Sequence, residues 1–235
     1  MKICVITGAA MGIGLHLCRG FAEKGYQVVG LDVEEKNALP PGARLIRTDL
    51  RREEEILAAF ESIGRDYGGA DVLINNAGVS RFEKPITQLT ADEWDRVLDT
   101  NLRGMMLCSR EFIKLNEGRE YGRIINMAST RWMQNEENWE AYGASKGGVV
   151  SLTAAMAVSL HDRPITVNAI SPGWICTEGY ENLTAEDHSQ IPSGRVGFPR
   201  DILNACLFLA DAENDFVNGI DLVVDGGMVR RMIWR

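Results

Sequence analysis

A short β-branched run, Ile3-Cys4-Val5-Ile6, passes straight into Thr7-Gly8-Ala9-Ala10-Met11-Gly12-Ile13-Gly14. Few folds accommodate that junction. A strand must end, the chain must turn tightly on its glycines, and a helix must start at once. This is the opening of a βαβ unit, in which Gly8, Gly12 and Gly14 let the backbone approach a pyrophosphate. The first helical N–H groups and the helix dipole then face the anion. Met11 and Ile13 fill the turn between the glycines and belong to the same expected cofactor-binding segment.

The rest of the chain repeats the alternation. Strands are expected at 2–7, 27–32, 43–48, 71–75, 122–127, 164–170 and 220–224, and helices near 12–24, 52–66, 91–116, 140–161 and 199–210. Short β-branched runs separated by amphipathic helices predict an α/β fold: a doubly wound parallel sheet of about seven strands with helices on both faces. With 235 residues, no repeat and no linker, the expectation is one Rossmann-type domain spanning 1–235. The irregular stretch 173–198 follows the end of a strand and reads as a substrate lid.

Composition narrows the partners. Acidic residues outnumber basic ones, 33 to 25, for a net charge of −8. That argues against nucleic acid or an anionic membrane as a partner. The five cysteines are scattered and never in CxxC spacing, so they read as free thiols in a reducing compartment. The three histidines, His16, His161 and His188, are isolated, and no metal site is expected. The chain enters its first strand at once and has no apolar run long enough to span a bilayer, so a cytoplasmic location is expected.

The second expected strand ends in Asp32. An acid there accepts from the ribose 2′-hydroxyl of NAD and repels the 2′-phosphate of NADP. Val33 and Glu34 follow, with no obvious cation for that phosphate. NAD is therefore the expected cofactor. Farther along, Tyr142 and Lys146 are four residues apart, a spacing that places them on one helix face. A cation beside a phenol favours its ionised form, which suits proton transfer in carbonyl–alcohol interconversion. Ser129 ends an apolar run thirteen residues before Tyr142.

Taken together these motifs resemble the short-chain dehydrogenase/reductase family, in its compact single-domain branch, over essentially the whole chain. Thr7 to Gly14 matches its TGxxxGxG turn. Asp49-Leu50 matches the position that contacts adenine, and Asn75-Asn76-Ala77-Gly78 the NNAG motif bordering the cofactor. Asn101, Ser129, Tyr142 and Lys146 match the catalytic tetrad. Pro172-Gly173-Trp174-Ile175-Cys176-Thr177 matches the PGxxxT segment at the nicotinamide. The resemblance implies that Tyr142 is the general acid/base, that Lys146 lowers its pKa and binds the nicotinamide ribose, and that Ser129 holds the substrate oxygen. It also implies that Asn101 maintains a helix kink and a water for a proton relay.

The implied reaction interconverts a secondary alcohol and a ketone on a small-molecule substrate. Its pocket is expected from 130–140 and 174–195, with Arg131, Trp132, Met133, Trp139, Trp174, Tyr180 and His188 as candidates. Arg131 either clamps a substrate carboxylate or phosphate, or pairs with Glu136, Glu137 or Glu140. His188 is either a second proton donor or a lid contact. The short lid implies an open pocket or one completed by a neighbouring subunit. A homotetramer is expected, with a dimer second, partly from the apolar tail residues Met232, Ile233 and Trp234. Two alternatives are a 3-oxoacyl-carrier-protein reductase-like enzyme, against which Asp32 and the acidic surface count, and a non-catalytic NAD-sensing protein. An enoyl reductase of the family spaces its tyrosine and lysine more widely.

Overall fold

In the computed structural model, residues 1–35 and 37–232 are described. Seven parallel strands form one sheet: β1 (Ile3–Thr7), β2 (Gln27–Asp32), β3 (Arg44–Arg47), β4 (Val72–Asn75), β5 (Gly122–Met127), β6 (Ile165–Pro172) and β7 (Asp221–Val224). Their spatial order is β3-β2-β1-β4-β5-β6-β7. The order reverses between β1 and β4, and in such sheets the crevice beyond the strand C-termini at that switch binds ligands.

Side chains alternate across each strand and sort into two apolar layers. Val5, Val29, Leu73 and Ile124 face one side, packing against Ile56, Phe60 and Ile63 of α2 (Glu53–Tyr67) and Leu107 and Phe112 of α4 (Gly104–Leu115). Cys4, Ile6, Val28, Val72 and Ile74 face the other, against Leu17 and Phe21 of α1 (Gly12–Glu23) and Ile202 and Leu209 of α7 (Pro199–Ala210). Strands buried on both faces explain their continuous apolar runs. Each fully buried Phe or Leu stabilises the fold by about 1.5–3 kcal/mol relative to exposure.

Two departures from the sequence-based expectation bear on the site. The helix expected over 91–116 is three pieces: α3 (Ala91–Leu98), a π-helical turn Asp99–Arg103, and α4. The break has a local cause. The Asn101 side chain bonds to the backbone of Val79 in both directions, 2.7 and 3.0 Å, and donates to Ser145 Oγ at 3.0 Å. A Cβ at Gly104 would lie 2.7 Å from the Leu50 carbonyl oxygen, so only glycine lets the helix resume there. In addition, the irregular 173–198 stretch contains a short helix, α6 (Ala185–Ser189), capped by a reciprocal Thr184–Asp187 pair. The Thr-x-x-Asp spacing was its sequence signal. Of the expected apolar tail, Met232 is exposed, and Ile233 and Trp234 lie outside the described residues.

Candidate active site

The glycine turn is fastened to β4. Asn76 Nδ2 donates to the carbonyls of Thr7 (3.0 Å) and Gly8 (3.2 Å), and the Ala77 N–H donates to Thr7 Oγ1 (2.9 Å). Gly8 has φ +67°, and a Cβ there would lie 2.8 Å from the Ala77 Cα. A Cβ on Gly14 would come within 1.8 Å of the Gly8 carbonyl oxygen. Helix α1 therefore starts directly against the turn, with Met11 and Gly12 at its N-terminus. Gly12 faces the Thr177 side chain, so the PGxxxT segment closes over the turn.

Asp32 ends β2 beside this turn. Its carboxylate accepts from the Ala10 N–H (2.9 Å) and the Glu34 N–H (3.0 Å), while Val33 is half exposed. Asp49 lies in a separate surface cleft, where it is paired with Arg51 and held below the ordinary carboxylate range by that hydrogen bond. Leu50 is buried beneath Gly104.

Helix α5 (Glu140–Ser159) carries Tyr142 and Lys146 past the end of β5, where Ser129 begins a short turn. A cavity of about 200 Å³ brings Ser129, Tyr142 and Lys146 together with Ile13, Asn76, Gly78, Pro172, Gly173 and Ile175. Ser80, Met127 and Ala128 complete its wall; adjacency to the motifs was their only sequence signal. Asn101 is buried behind this wall, and through Ser145, which donates to the Tyr142 carbonyl (2.8 Å), it is tied to α5. No carboxylate lines the cavity and one ammonium does, which fits a nicotinamide dinucleotide entering from the helix terminus.

The electrostatics correct one expectation. The Tyr142 hydroxyl is raised, not lowered, because burial outweighs the other influences; its hydrogen bond with Ser129 and the Arg131 charge pull it back down. Lys146 lies 5.6 Å from the Tyr142 ring centre, and its Nζ donates to the Met127 carbonyl at 2.7 Å. Burial lowers the Lys146 ammonium to about 8.

The substrate-pocket candidates divide. Arg131 and Trp174 line a second, larger cavity that shares Ser129 and Gly173 with the first. Trp132 does not; its indole donates to Asp221 Oδ2 (2.9 Å) and Ser171 Oγ (3.2 Å). Trp139 packs edge-on against Tyr142, and Met133 is exposed. Tyr180 stacks on Phe198 at 4.0 Å, with His188 beside it at 5.5 Å. His188 Nδ1 also accepts from the Val196 N–H (3.2 Å), so these rings pack within 173–198. Cys176 donates to the Glu178 carbonyl (3.0 Å). Gln134, Asn135, Gln190, Ile191, Met228 and Arg231 also line the second cavity. The first four fall within the expected 130–140 and 174–195 segments, whereas no motif marks Met228 and Arg231, which the fold brings in from beyond β7. Among the described residues, no helix is long and apolar enough to cross a membrane.

A family model described as enoyl-(acyl carrier protein) reductase matches residues 8–229. An uncharacterized oxidoreductase of Thermotoga maritima is 40% identical, with 99% of this chain and 98% of the relative covered. A 3-oxoacyl-[acyl-carrier-protein] reductase FabG of Vibrio cholerae is 32% identical, with 97% of each covered. Among solved structures, 4-hydroxyisoleucine dehydrogenase complexed with NADH superposes with a TM-score of 0.90 at 32% identity, covering 99% of this chain and all of the other.

Proposed function

The chain belongs to the short-chain dehydrogenase/reductase family of oxidoreductases, and we propose that it interconverts a secondary alcohol and a ketone with NAD as cofactor. The observation that carries this reading is the meeting of Ser129, Tyr142 and Lys146 in the cavity that the glycine-turn residue Ile13 also lines.

A bound nicotinamide dinucleotide would supply the hydride acceptor for oxidation and the donor for reduction. The first amides of α1 would hold its pyrophosphate, and Asp32 would accept from its adenosine ribose. Asn76, Ala77 and Gly78 would border it, and Pro172, Gly173, Ile175 and Thr177 would hold its nicotinamide end. Ser129 orients the substrate oxygen by hydrogen bonding. Tyr142 takes the proton from the alcohol in oxidation and returns it to the carbonyl oxygen in reduction. Lys146 is fixed by the Met127 carbonyl and holds the nicotinamide ribose. Asn101 positions α5 through Ser145 and keeps the π-helical turn.

NAD is favoured by Asp32, whose carboxylate is fixed on two backbone amides and faces a would-be 2′-phosphate with negative charge. The NADH bound by the 4-hydroxyisoleucine dehydrogenase relative supports the same choice. The Vibrio cholerae relative supports the carrier-protein reductase alternative. The −8 charge weighs against docking an acidic carrier. Tyr142–Lys146 spacing supports carbonyl chemistry over enoyl reduction. Retention of all four tetrad residues weighs against a purely sensing role. Residues 173–198 serve as the lid within the single 1–235 domain. Exposed Phe208, Phe216 and Ile220 support self-association, a homotetramer first and a dimer second.

The test is a paired fluorescence titration with NADH and NADPH, on wild type and on Tyr142→Phe, followed by turnover assays. Tighter NADH binding, kept in the mutant while turnover is lost, is the expected result. Near-normal turnover by Tyr142→Phe would remove the tyrosine from its role, and tighter NADPH binding would overturn the cofactor choice.

A further inference from the structure

The second cavity, about 720 Å³, opens where the first one ends, at Ser129 and Gly173. Its charged lining is two arginines, Arg131 and Arg231, against one glutamate, Glu136. This local excess of positive charge sits in a chain whose net charge is −8. Trp174, Ile191 and Met228 supply an apolar wall large enough to pack a short carbon skeleton.

The two arginines are held differently. Arg231 Nη1 donates to the carbonyls of Ser189 (2.7 Å) and Gln190 (3.0 Å), so it is committed to the C-terminal end of α6. The Arg131 backbone N–H donates to Ser129 Oγ (3.2 Å), which fixes this residue's backbone beside the hydroxyl that orients the substrate oxygen. Its guanidinium pairs through Nη2 with Glu136 Oε1 at 2.6 Å. The Arg131 side chain is 29% exposed, but that of Glu136 is 65% exposed. An ion pair with so solvated a partner contributes little. A guanidinium offers a planar fork of five donors, and a carboxylate that enters a sheltered cavity matches it with two parallel bonds. Glu136 is thus a weak occupant that an incoming carboxylate displaces. The Arg131 charge is also felt at the Tyr142 hydroxyl, which it pulls down against burial.

We propose that Arg131 anchors a carboxylate on the substrate, so that this enzyme acts on a secondary hydroxy acid and its oxo acid. The carbinol carbon lies between Ser129 and Tyr142, and the carboxylate lies a few bonds away in the second cavity. The proposal rests on the oxidoreductase reading of Ser129 and Tyr142. It goes beyond that reading by naming the substrate class and the residue that selects it.

The experiment uses matched pairs of oxo acids and their methyl esters: acetoacetate, levulinate and an oxocyclohexanecarboxylate, each assayed with NADH. The acid of at least one pair is expected to exceed its ester by about tenfold or more in kcat/KM. Arg131→Met collapses that ratio, Arg131→Lys restores part of it, and Glu136→Gln lowers KM for the acid with little change in kcat. Glu137→Gln, which removes an exposed charge of the same loop, leaves the ratio in place. An independent readout is thermal unfolding with NADH present, in which the acid raises Tm more than the ester does in wild type but not in Arg131→Met. Equal use of acids and esters, or an acid preference that survives Arg131→Met, overturns the proposal. So does reduction of no acid by a protein that binds NADH. Failure to bind NADH at all is the separate result that removes the underlying reading, and the proposal falls with it.

Discussion

Lys146 Nζ donates a 2.7 Å hydrogen bond to the carbonyl oxygen of Met127, the last residue of β5. This bond locks the cavity that Ser129 and Tyr142 line to the sheet and keeps an ammonium inside it. Only one carbonyl compensates for the water that the ammonium has lost, and burial lowers it from 10.5 to about 8. A group lowered by that much costs about 3 kcal/mol while it stays charged. The folded state binds its proton less tightly than the unfolded chain, so stability rises with pH between about 8 and 10.5. The cost is present in full below that window. Lys146→Met should therefore abolish turnover yet raise Tm at neutral pH, by roughly 2–8 °C if 1–2 kcal/mol survives repacking. The gain should shrink as the pH approaches 10. Calorimetry of wild type and mutant across that range checks it, and a mutant destabilised at pH 7 would show that the bond to Met127 outweighs the burial cost.

The Tyr142 hydroxyl supplies a pH dependence of definite sign. Burial raises it, and the Ser129 hydrogen bond and the Arg131 charge lower it again. In the proposed mechanism alcohol oxidation uses the ionised phenol, so its kcat/KM should climb with pH toward the raised phenol range. Ketone reduction uses the protonated phenol and should stay level until the pH reaches the raised phenol range, then fall. Ser129→Ala removes one lowering influence, so both limbs should move to higher pH, besides a loss of about 100-fold or more in rate. Profiles of both directions, in wild type and Ser129→Ala, decide the point. Limbs that stay put in the mutant would detach Ser129 from the phenol.

Much of this arrangement was legible in the sequence because it rests on local signals. Glycines fix the turn after β1, and β-branched runs fix the strands. Four-residue spacing puts Tyr142 and Lys146 on one face of α5. The break at Asp99–Arg103 was partly visible through Asn101, but the backbone groups of Val79 that hold it come from another segment. The direction of the Tyr142 shift was not legible, because burial is a property of the assembled fold and overrides the Ser129 hydrogen bond and the Arg131 charge. The second cavity was half legible. Arg131 and Trp174 stood out as residue types, whereas Tyr180 and His188 looked equally suited and turn out to stack within 173–198. Residue type does not say which way a loop side chain points.

Gly14→Ala separates a turn that carries function from one that merely tolerates glycine. The added Cβ would sit 1.8 Å from the Gly8 carbonyl oxygen, a backbone atom that cannot move aside without shifting α1. Overpacking of this kind costs about 1–3 kcal/mol, and the displaced helix terminus no longer aims its amides at the pyrophosphate. NADH affinity should fall by at least about tenfold. By contrast, Gly25, with φ +83° and nothing within 4 Å of a Cβ, should accept Asn with little change in stability and none in NADH binding. Titration and thermal melts of both variants compare the two positions. Wild-type affinity in Gly14→Ala would mean that the cofactor does not rest on this turn.

Asp32 anchors the glycine turn, the proposed NAD preference gives it a second role in discriminating between cofactors, and two substitutions pull these roles apart. Its carboxylate accepts from Ala10 in the glycine turn and from Glu34 beyond β2. Asp32→Asn keeps one acceptor oxygen and removes the charge; Asp32→Ala removes both. If charge sets the cofactor choice, either change relieves repulsion of a 2′-phosphate, and the NADPH-to-NADH affinity ratio should rise by about 10–100-fold, or roughly 1.4–2.7 kcal/mol. If the carboxylate matters mainly as an anchor of the turn, Asp32→Ala should weaken both cofactors equally, and Asp32→Asn should do little. The side-chain contacts predict a mixture with a definite order. Asn shifts the ratio and costs little overall affinity, whereas Ala shifts the ratio by a similar factor and weakens both cofactors because the Ala10 N–H loses its acceptor. Fluorescence titrations of the two variants with both dinucleotides measure this directly. A ratio unchanged in Asp32→Asn would place cofactor selection elsewhere in the chain.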